Sequence, residues 1–214
     1  MKRRDFTLGA LGGAGLLAAS LPGVVAAQGG PVEGKDYVKL NQPVTVPGGG
    51  KVDVVEFFWY GCPHCNTFEP MLDGWIKKLP ADVAFRRAHV SFTAQHETHA
   101  KIFYALEASG QFDALHRKVF AEIHQQRKRL DKEAEIVAFV AAAGGDAAKF
   151  SDAFNSFGVA TKVRQGKQLS DAYKIDGVPA IGVAGRWFTS PSMAGGYDKV
   201  LVVTESLIQR ARKS

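Results

Sequence analysis

Residues 51–68 read KVDVVEFFWYGCPHCNTF. The first ten are almost continuously apolar and rich in β-branched and aromatic side chains, which is the composition of a central strand buried on both faces. Gly61 ends that run. Cys62 and Cys65, the only two cysteines among 214 residues, follow at once. Phe68, Met71, Leu72, Trp75, Ile76 and Leu79 then recur at helical spacing. Pro70 interrupts the pattern and is expected to kink this helix rather than abolish it. The order is strand, cysteine pair, helix.

Upstream, Asp36 to Pro47 forms a short segment separated from the strand by Pro47 and three glycines. Downstream, Asp82 to Phe92 reads as the next strand, which completes a β-α-β unit with a right-handed crossover and parallel strands. From Glu97 to Lys174 the period changes to 3.6. Ile102 and Leu106 mark one helix, and Phe112, Leu115, Val119 and Ile123 a second. Asp131 is expected to cap a third that runs through Val140 and stops at Gly144 and Gly145. Phe150, Phe154 and Phe157 mark a fourth, and Val159 to Tyr173 a fifth; the phenylalanines read as core packing. Strand signals return at 178–183 and 186–189, joined by a two-residue Ala184-Gly185 turn as in a hairpin, and Gly196 to Lys213 closes the chain as a helix. The fold class expected is α/β, with an inserted all-helical domain between a β-α-β half and a β-β-α half. Its boundaries are a first part over 28–96, the helical block over 97–174 and a second part over 175–214.

Residues 1–27 stand apart. Lys2, Arg3 and Arg4 precede an apolar, glycine-studded stretch and then small residues at Val25 and Ala27, the pattern of a secretory signal peptide cut before Gln28. The K-R-R-D-F run also resembles a twin-arginine export signal. Either route places the protein outside the cytoplasm. Losing the leader removes three basic residues and one acidic one, so the formal charge falls from +6 to +4. No basic block interleaved with aromatics suggests nucleic acid; Arg127 to Arg129 reads as a solvated helix end.

Three uses of the cysteine pair compete. A closed zinc site needs about four ligands, and no second cysteine pair is present; His96 and His99 could contribute, but read more simply as solvated residues at a helix start. A structural disulfide between residues three apart closes a tiny loop and removes little entropy from the unfolded chain. A redox pair remains, and the local chemistry favours it. Cys62 sits where free backbone N–H groups and the positive end of the helix dipole stabilise an anion, and Pro63 suits the first helical position. His64 adds to that stabilisation. Cys62 is therefore expected to be the exposed sulfur that exchanges with substrate through a mixed disulfide, and Cys65, one turn on and facing inward, to resolve it. Stabilising the Cys62 thiolate stabilises the reduced form, so the disulfide becomes a stronger oxidant. Glu56, inside the apolar strand, is expected to have a raised pKa and to accept or deliver the proton of Cys65; an ion pair with Arg87 is the structural alternative, compatible with the first.

The stretch VEFFWYGCPHCNTFEP, the helical block after it and IDGVPA near the end resemble the DsbA family, periplasmic thiol:disulfide oxidoreductases with a thioredoxin fold and an inserted helical domain. Pro-His between the cysteines is characteristic of that family. The resemblance implies a strongly oxidising disulfide with no other cofactor and no metal. Its substrates would be unfolded exported polypeptides with free cysteines, and a membrane quinone-linked oxidase of the DsbB type would reoxidise it. It also implies that Val178-Pro179 is a cis-proline loop facing the cysteine pair, where the Val178 backbone pairs with an extended substrate peptide, and that Glu56 is the family's buried glutamate. A monomer is expected. Gly61 and Tyr60 depart from relatives that carry a bulky aromatic directly before the first cysteine, which leaves the shape of the peptide groove open. Exposed residues among Trp59, Tyr60, Phe92 and Met193 could line it, although most apolar residues of this spacing fill the core and none is assigned individually. Two other readings stay open: a reductase or isomerase of the same fold, and a chaperone-like or metal-carrying module.

Overall fold

The computed structural model describes residues 29–47 and 49–213, and the leader expected over residues 1–27 lies outside them. In chain order the elements are β1 (Val38–Lys39), β2 (Val52–Phe58), α1 (Pro63–Ile76), β3 (Val83–His89), α2 (Ala94–Ala108), α3 (Phe112–His124), α4 (Glu133–Ala142), α5 (Ala147–Phe154), α6 (Phe157–Ala172), β4 (Ala180–Val183), β5 (Trp187–Thr189), α7 (Pro191–Ala194) and α8 (Tyr197–Ala211). The strands form one sheet in the order β1-β5-β4-β2-β3. The apolar strand, β2, pairs in parallel with β3 and antiparallel with β4, so both of its edges are covered. This is the thioredoxin fold with helices α2–α6 inserted between its halves.

Alternation along β2 sends its side chains to the two faces of the sheet, where they enter three apolar clusters. Val54 packs with Phe68, Leu72 and Trp75 of α1 and with Leu207 of α8, whereas Phe58 joins Phe103, Leu115 and Phe120 of the helical block. Val55 and Phe57, on the opposite face, meet Tyr173, Leu40 and Val90. Cys62 and Cys65 belong to the same cluster as the helical block. The cysteine pair therefore sits at the junction of the sheet and the insertion, walled by both.

Helix α1 forms for local reasons. Cys62 is its N-cap, with an extended backbone, and Pro63 takes the first helical position. Cys65, Phe68, Glu69, Leu72 and Trp75 make the buried stripe. Pro70 lies within the helix on its exposed side, and the helix continues to Ile76. The β4–β5 turn carries Ala184 and Gly185 at φ of 53° and 66°, and the Arg186 N–H donates to the Val183 carbonyl at 3.0 Å.

Some helix boundaries differ from the sequence pattern. Phe157 does not extend the helix of Phe150 and Phe154: it opens α6, is 80% exposed and lies under the Arg164 guanidinium. The break is Ser156, whose hydroxyl accepts the Val159 N–H and caps α6. Asp131 does not cap α4, whose N-cap is Lys132; it is engaged instead by Arg129 at 2.6 Å and by Gln95 at 2.8 Å. The closing helix expected over 196–213 is α8, with Gly196 as its N-cap; the short α7 before it ends at Gly195, whose φ of 81° is left-handed.

Candidate active site

Both thiols are reduced in this structure. The Cys62 sulfur lies at the N-terminus of α1, where it accepts the Cys65 backbone N–H at 3.3 Å. Its own S–H donates to the Val178 carbonyl at 3.4 Å, across a Val178–Pro179 peptide that is cis. The hydrogen bond from the Cys65 thiol is the largest influence on Cys62. Burial opposes it, the backbone N–H groups of Cys65 and His64 assist, and the charge of His64 adds least; together they lower the pKa from 9.0 to about 6. Cys65 is fully buried, and burial first, then the hydrogen bond and charge of Cys62, push its thiol well above the ordinary value. The two sulfurs thus differ in ionisation although they share one turn of helix.

Beneath Cys65 lies a buried charged network. The parallel register sets Glu56 of β2 opposite Arg87 of β3, and Arg87 Nε donates to Glu56 Oε2 at 2.9 Å. The second oxygen, Glu56 Oε1, has no partner among the described residues. Burial, then the neighbouring Glu69 carboxylate, raises the Glu56 pKa from 4.5 to about 8 despite Arg87. Arg87 Nη2 donates to Glu69 Oε1 at 2.7 Å and to Asp73 Oδ1 at 3.2 Å. Burial opposes ionisation of Glu69, but the hydrogen bond from His116 and the Arg87 charge outweigh it and hold that carboxyl below its usual range.

The turn between β2 and α1 is held by histidines. Burial keeps His116 neutral, so its Nε2–H donates to Glu69 at 3.1 Å and its Nδ1 accepts the Tyr60 hydroxyl at 2.8 Å. His89 Nε2 accepts the Tyr60 N–H at 3.2 Å while its Nδ1–H donates to the Val90 carbonyl. His124 Nε2–H donates to the Tyr60 carbonyl at 2.8 Å. Trp59 Nε1–H donates to His99 Nδ1 at 2.9 Å, and His99 Nε2–H donates to the Arg129 carbonyl. His96 packs against the Trp59 ring at 4.2 Å between centroids, tilted by 48°. Five of the six histidines in the chain therefore surround residues 59 and 60, and the sixth, His64, lies between the cysteines with Nδ1 2.9 Å from the Tyr197 hydroxyl.

These positions correct several expectations. Cys62 is not openly exposed: only 6% of its surface is accessible, because Val178 and the helix start flank the sulfur. His99 is not solvated but buried and doubly hydrogen-bonded. Tyr60 does not line a groove; it is fully buried under α3 with its hydroxyl on His116. The Trp59 ring folds back over Gly61, so that a Cβ on Gly61 would fall inside it, which is why glycine precedes Cys62. The open cleft is elsewhere, a space of about 700 Å³ beside His64 lined by Ile175, Val178, Pro179, Phe188, Met193 and Tyr197. Pattern reading missed Glu69, Asp73, His116 and the other turn histidines. The one available signal was Cys65, Glu69 and Asp73 at steps of four, which places three ionisable groups in a row along α1. Among the described residues no group of three or more His, Cys, Asp or Glu is arranged to hold a metal ion, and no helix is long and apolar enough to cross a membrane.

Residues 53–201 match the family model of a DSBA-like thioredoxin domain. The thiol:disulfide interchange protein DsbA of Pseudomonas aeruginosa is 40% identical over 197 residues, which cover 92% of this chain and 93% of that protein. The DsbA of Bordetella parapertussis is 42% identical over 180 residues, covering 84% and 86%. Among solved structures, P. aeruginosa DsbA superposes with a TM-score of 0.83 at 40% identity, over 86% of this chain and 95% of that one. The oxidoreductase NmDsbA3 from Neisseria meningitidis gives 0.76 at 28% identity, over 86% and 98%.

Proposed function

Because this chain belongs to the DsbA family of thiol:disulfide interchange proteins, we propose that the disulfide oxidoreductase works as an oxidase on exported polypeptides, with Cys62 as the exchanging sulfur. The observation that carries this direction is the opposed ionisation of the pair: Cys62 is lowered to about 6 and Cys65 is raised well above 9.0.

In the forward reaction a substrate thiolate attacks the Cys62 sulfur of the Cys62–Cys65 disulfide. The S–S bond breaks and its electron pair leaves on Cys65, whose thiolate is unfavourable in its buried site. Glu56, which carries a proton below about pH 8, delivers it to Cys65. A second substrate thiolate then attacks the substrate sulfur of the mixed disulfide and expels Cys62 as a thiolate, a good leaving group because its pKa is low. Two electrons have passed to the protein and the substrate holds a new disulfide. Ionised Cys62 no longer donates to Val178, whose carbonyl is then free for an extended peptide; the Val178 N–H has no hydrogen bond among the described residues. Pro179 fixes this loop beside the sulfur, Pro63 sets the first turn of α1, and the apolar cleft beside His64 receives the peptide's side chains.

The setting proposed is the periplasm, reached through the leader at residues 1–27. A quinone-linked membrane oxidase of the DsbB type removes the two electrons and restores the Cys62–Cys65 disulfide. Equilibration with defined glutathione mixtures tests the direction. The expected potential is less negative than the ~−270 mV of thioredoxin; a value as low as that overturns the oxidase reading.

A further inference from the structure

Glu69 has no place in the exchange as derived so far, yet its setting is tied to Glu56. The Nε and Nη2 donors of a guanidinium lie side by side on one edge, the fork that ordinarily takes both oxygens of one carboxylate. On Arg87 that edge takes oxygens from two carboxylates, Glu56 Oε2 at 2.9 Å and Glu69 Oε1 at 2.7 Å. The remaining oxygens, Glu56 Oε1 and Glu69 Oε2, are both buried without a partner among the described residues. Both side chains are essentially inaccessible, at 0% and 1% exposure. Two carboxylates at one fork in a buried site disfavour each other's ionisation, so the pair holds one proton at neutral pH, and that proton turns one of the orphaned oxygens into a donor.

The charged surroundings agree. Glu56 projects from β2, Arg87 from β3, Glu69 and Asp73 from α1, and His116 and Arg117 from α3. His116 is neutral and already donates to Glu69 Oε1, and the Tyr60 hydroxyl lies behind it. Three carboxylates therefore face one buried guanidinium, with Arg117 half-exposed and 3.5 Å from Asp73. Cys65, Glu69 and Asp73 lie four residues apart in turn along α1, from the buried sulfur to a side chain 36% exposed.

We propose that Glu69 is a positioning residue for the exchange proton: it shares one proton with Glu56 on the Arg87 fork and connects that proton to solvent through Asp73. When the Cys62–Cys65 bond breaks, Cys65 takes the proton from the pair, and the emptied pair refills from the Asp73 side; reoxidation runs the same transfer in reverse. No electron moves in this step. The inference rests on the assignment of Cys65 and Glu56 under the proposed function, and its test separates the two.

Infrared titration of the reduced protein reads the C=O stretch of a buried protonated carboxyl without any exchange reaction. In the wild type this band is expected to persist above neutrality and to vanish with a midpoint near 8. Glu56→Gln removes it, and Glu69→Gln moves its midpoint down by about one pH unit or more, because the like charge beside Glu56 is gone. An unmoved midpoint in Glu69→Gln, or no such band in the wild type, overturns the shared proton. Should the Glu69→Gln chain not fold, the wild type decides by the rate at which Cys65 resolves a Cys62–glutathione mixed disulfide: the expected profile bends near the same midpoint, and a profile without that bend overturns the inference. A wild type that shows the band but exchanges no disulfide with glutathione overturns the proposed function and leaves the shared proton standing.

Discussion

The Cys65 thiol is the strongest single influence on Cys62, which makes Cys65→Ala the sharpest perturbation of the site. A hydrogen bond to a charged group contributes about 1.5–3 kcal/mol, or roughly one to two pK units at 1.36 kcal/mol each. Removing the donor should therefore raise Cys62 from about 6 to about 7–8. It should not return to 9.0, because the backbone N–H groups of His64 and Cys65 still point at the sulfur. Cys65→Ser keeps a hydroxyl donor in the same place and should stay near the wild type. The assay is thiolate ultraviolet absorbance against pH, checked by the rate of alkylation. A Cys65→Ala value equal to that of the wild type would refute the hydrogen-bond account, and a return to 9.0 would refute the part assigned to the helix start. The same shift predicts how stability of the reduced protein depends on pH. A folded-state pKa below the unfolded one contributes stability that is fully present above 9.0 and is lost as pH falls through about 6. At neutral pH it amounts to about 1.4 kcal/mol before solvent screening, nearer 1 with it. That corresponds to a disulfide about 20–30 mV more oxidising than one without the shift.

Two further substitutions test the turn that carries the cysteines. Gly61→Ala should displace the Trp59 ring and break its bond to His99; a loss of about 1–3 kcal/mol is expected from denaturant unfolding, together with altered tryptophan emission, and unchanged stability and emission would mean that the ring does not occupy this space. Tyr60→Phe removes the hydroxyl that His116 accepts and should destabilise by about 1–2 kcal/mol, measured the same way; a neutral result would remove the buried bond from the account of how the turn is held.

The central strand, the redox pair and the α/β order were legible because each is a local pattern. A ten-residue apolar run has one economical fate, and a cysteine pair three apart at a strand–helix junction has few chemical uses. Glu56 was legible for the same reason, as a carboxylate inside that run. Phe157 was misread because helical spacing continues across Ser156, and spacing alone does not show where a cap restarts the helix. His89, His99, His116 and His124 were illegible as a group: they come from a strand and two helices, and only packing brings their rings to Trp59 and Tyr60.

By itself, the sequence determined that a reactive pair would open a helix beside a buried strand, because strand period, proline position and cysteine spacing act within a few residues. What only the tertiary structure decided is how that pair is tuned. The Val178 carbonyl lies 116 residues from Cys62 along the chain and 3.4 Å from its sulfur, and two carboxylates from different elements share one guanidinium edge. Burial and the meeting of distant charges set these ionisation states, and neither is written in any short stretch of residues.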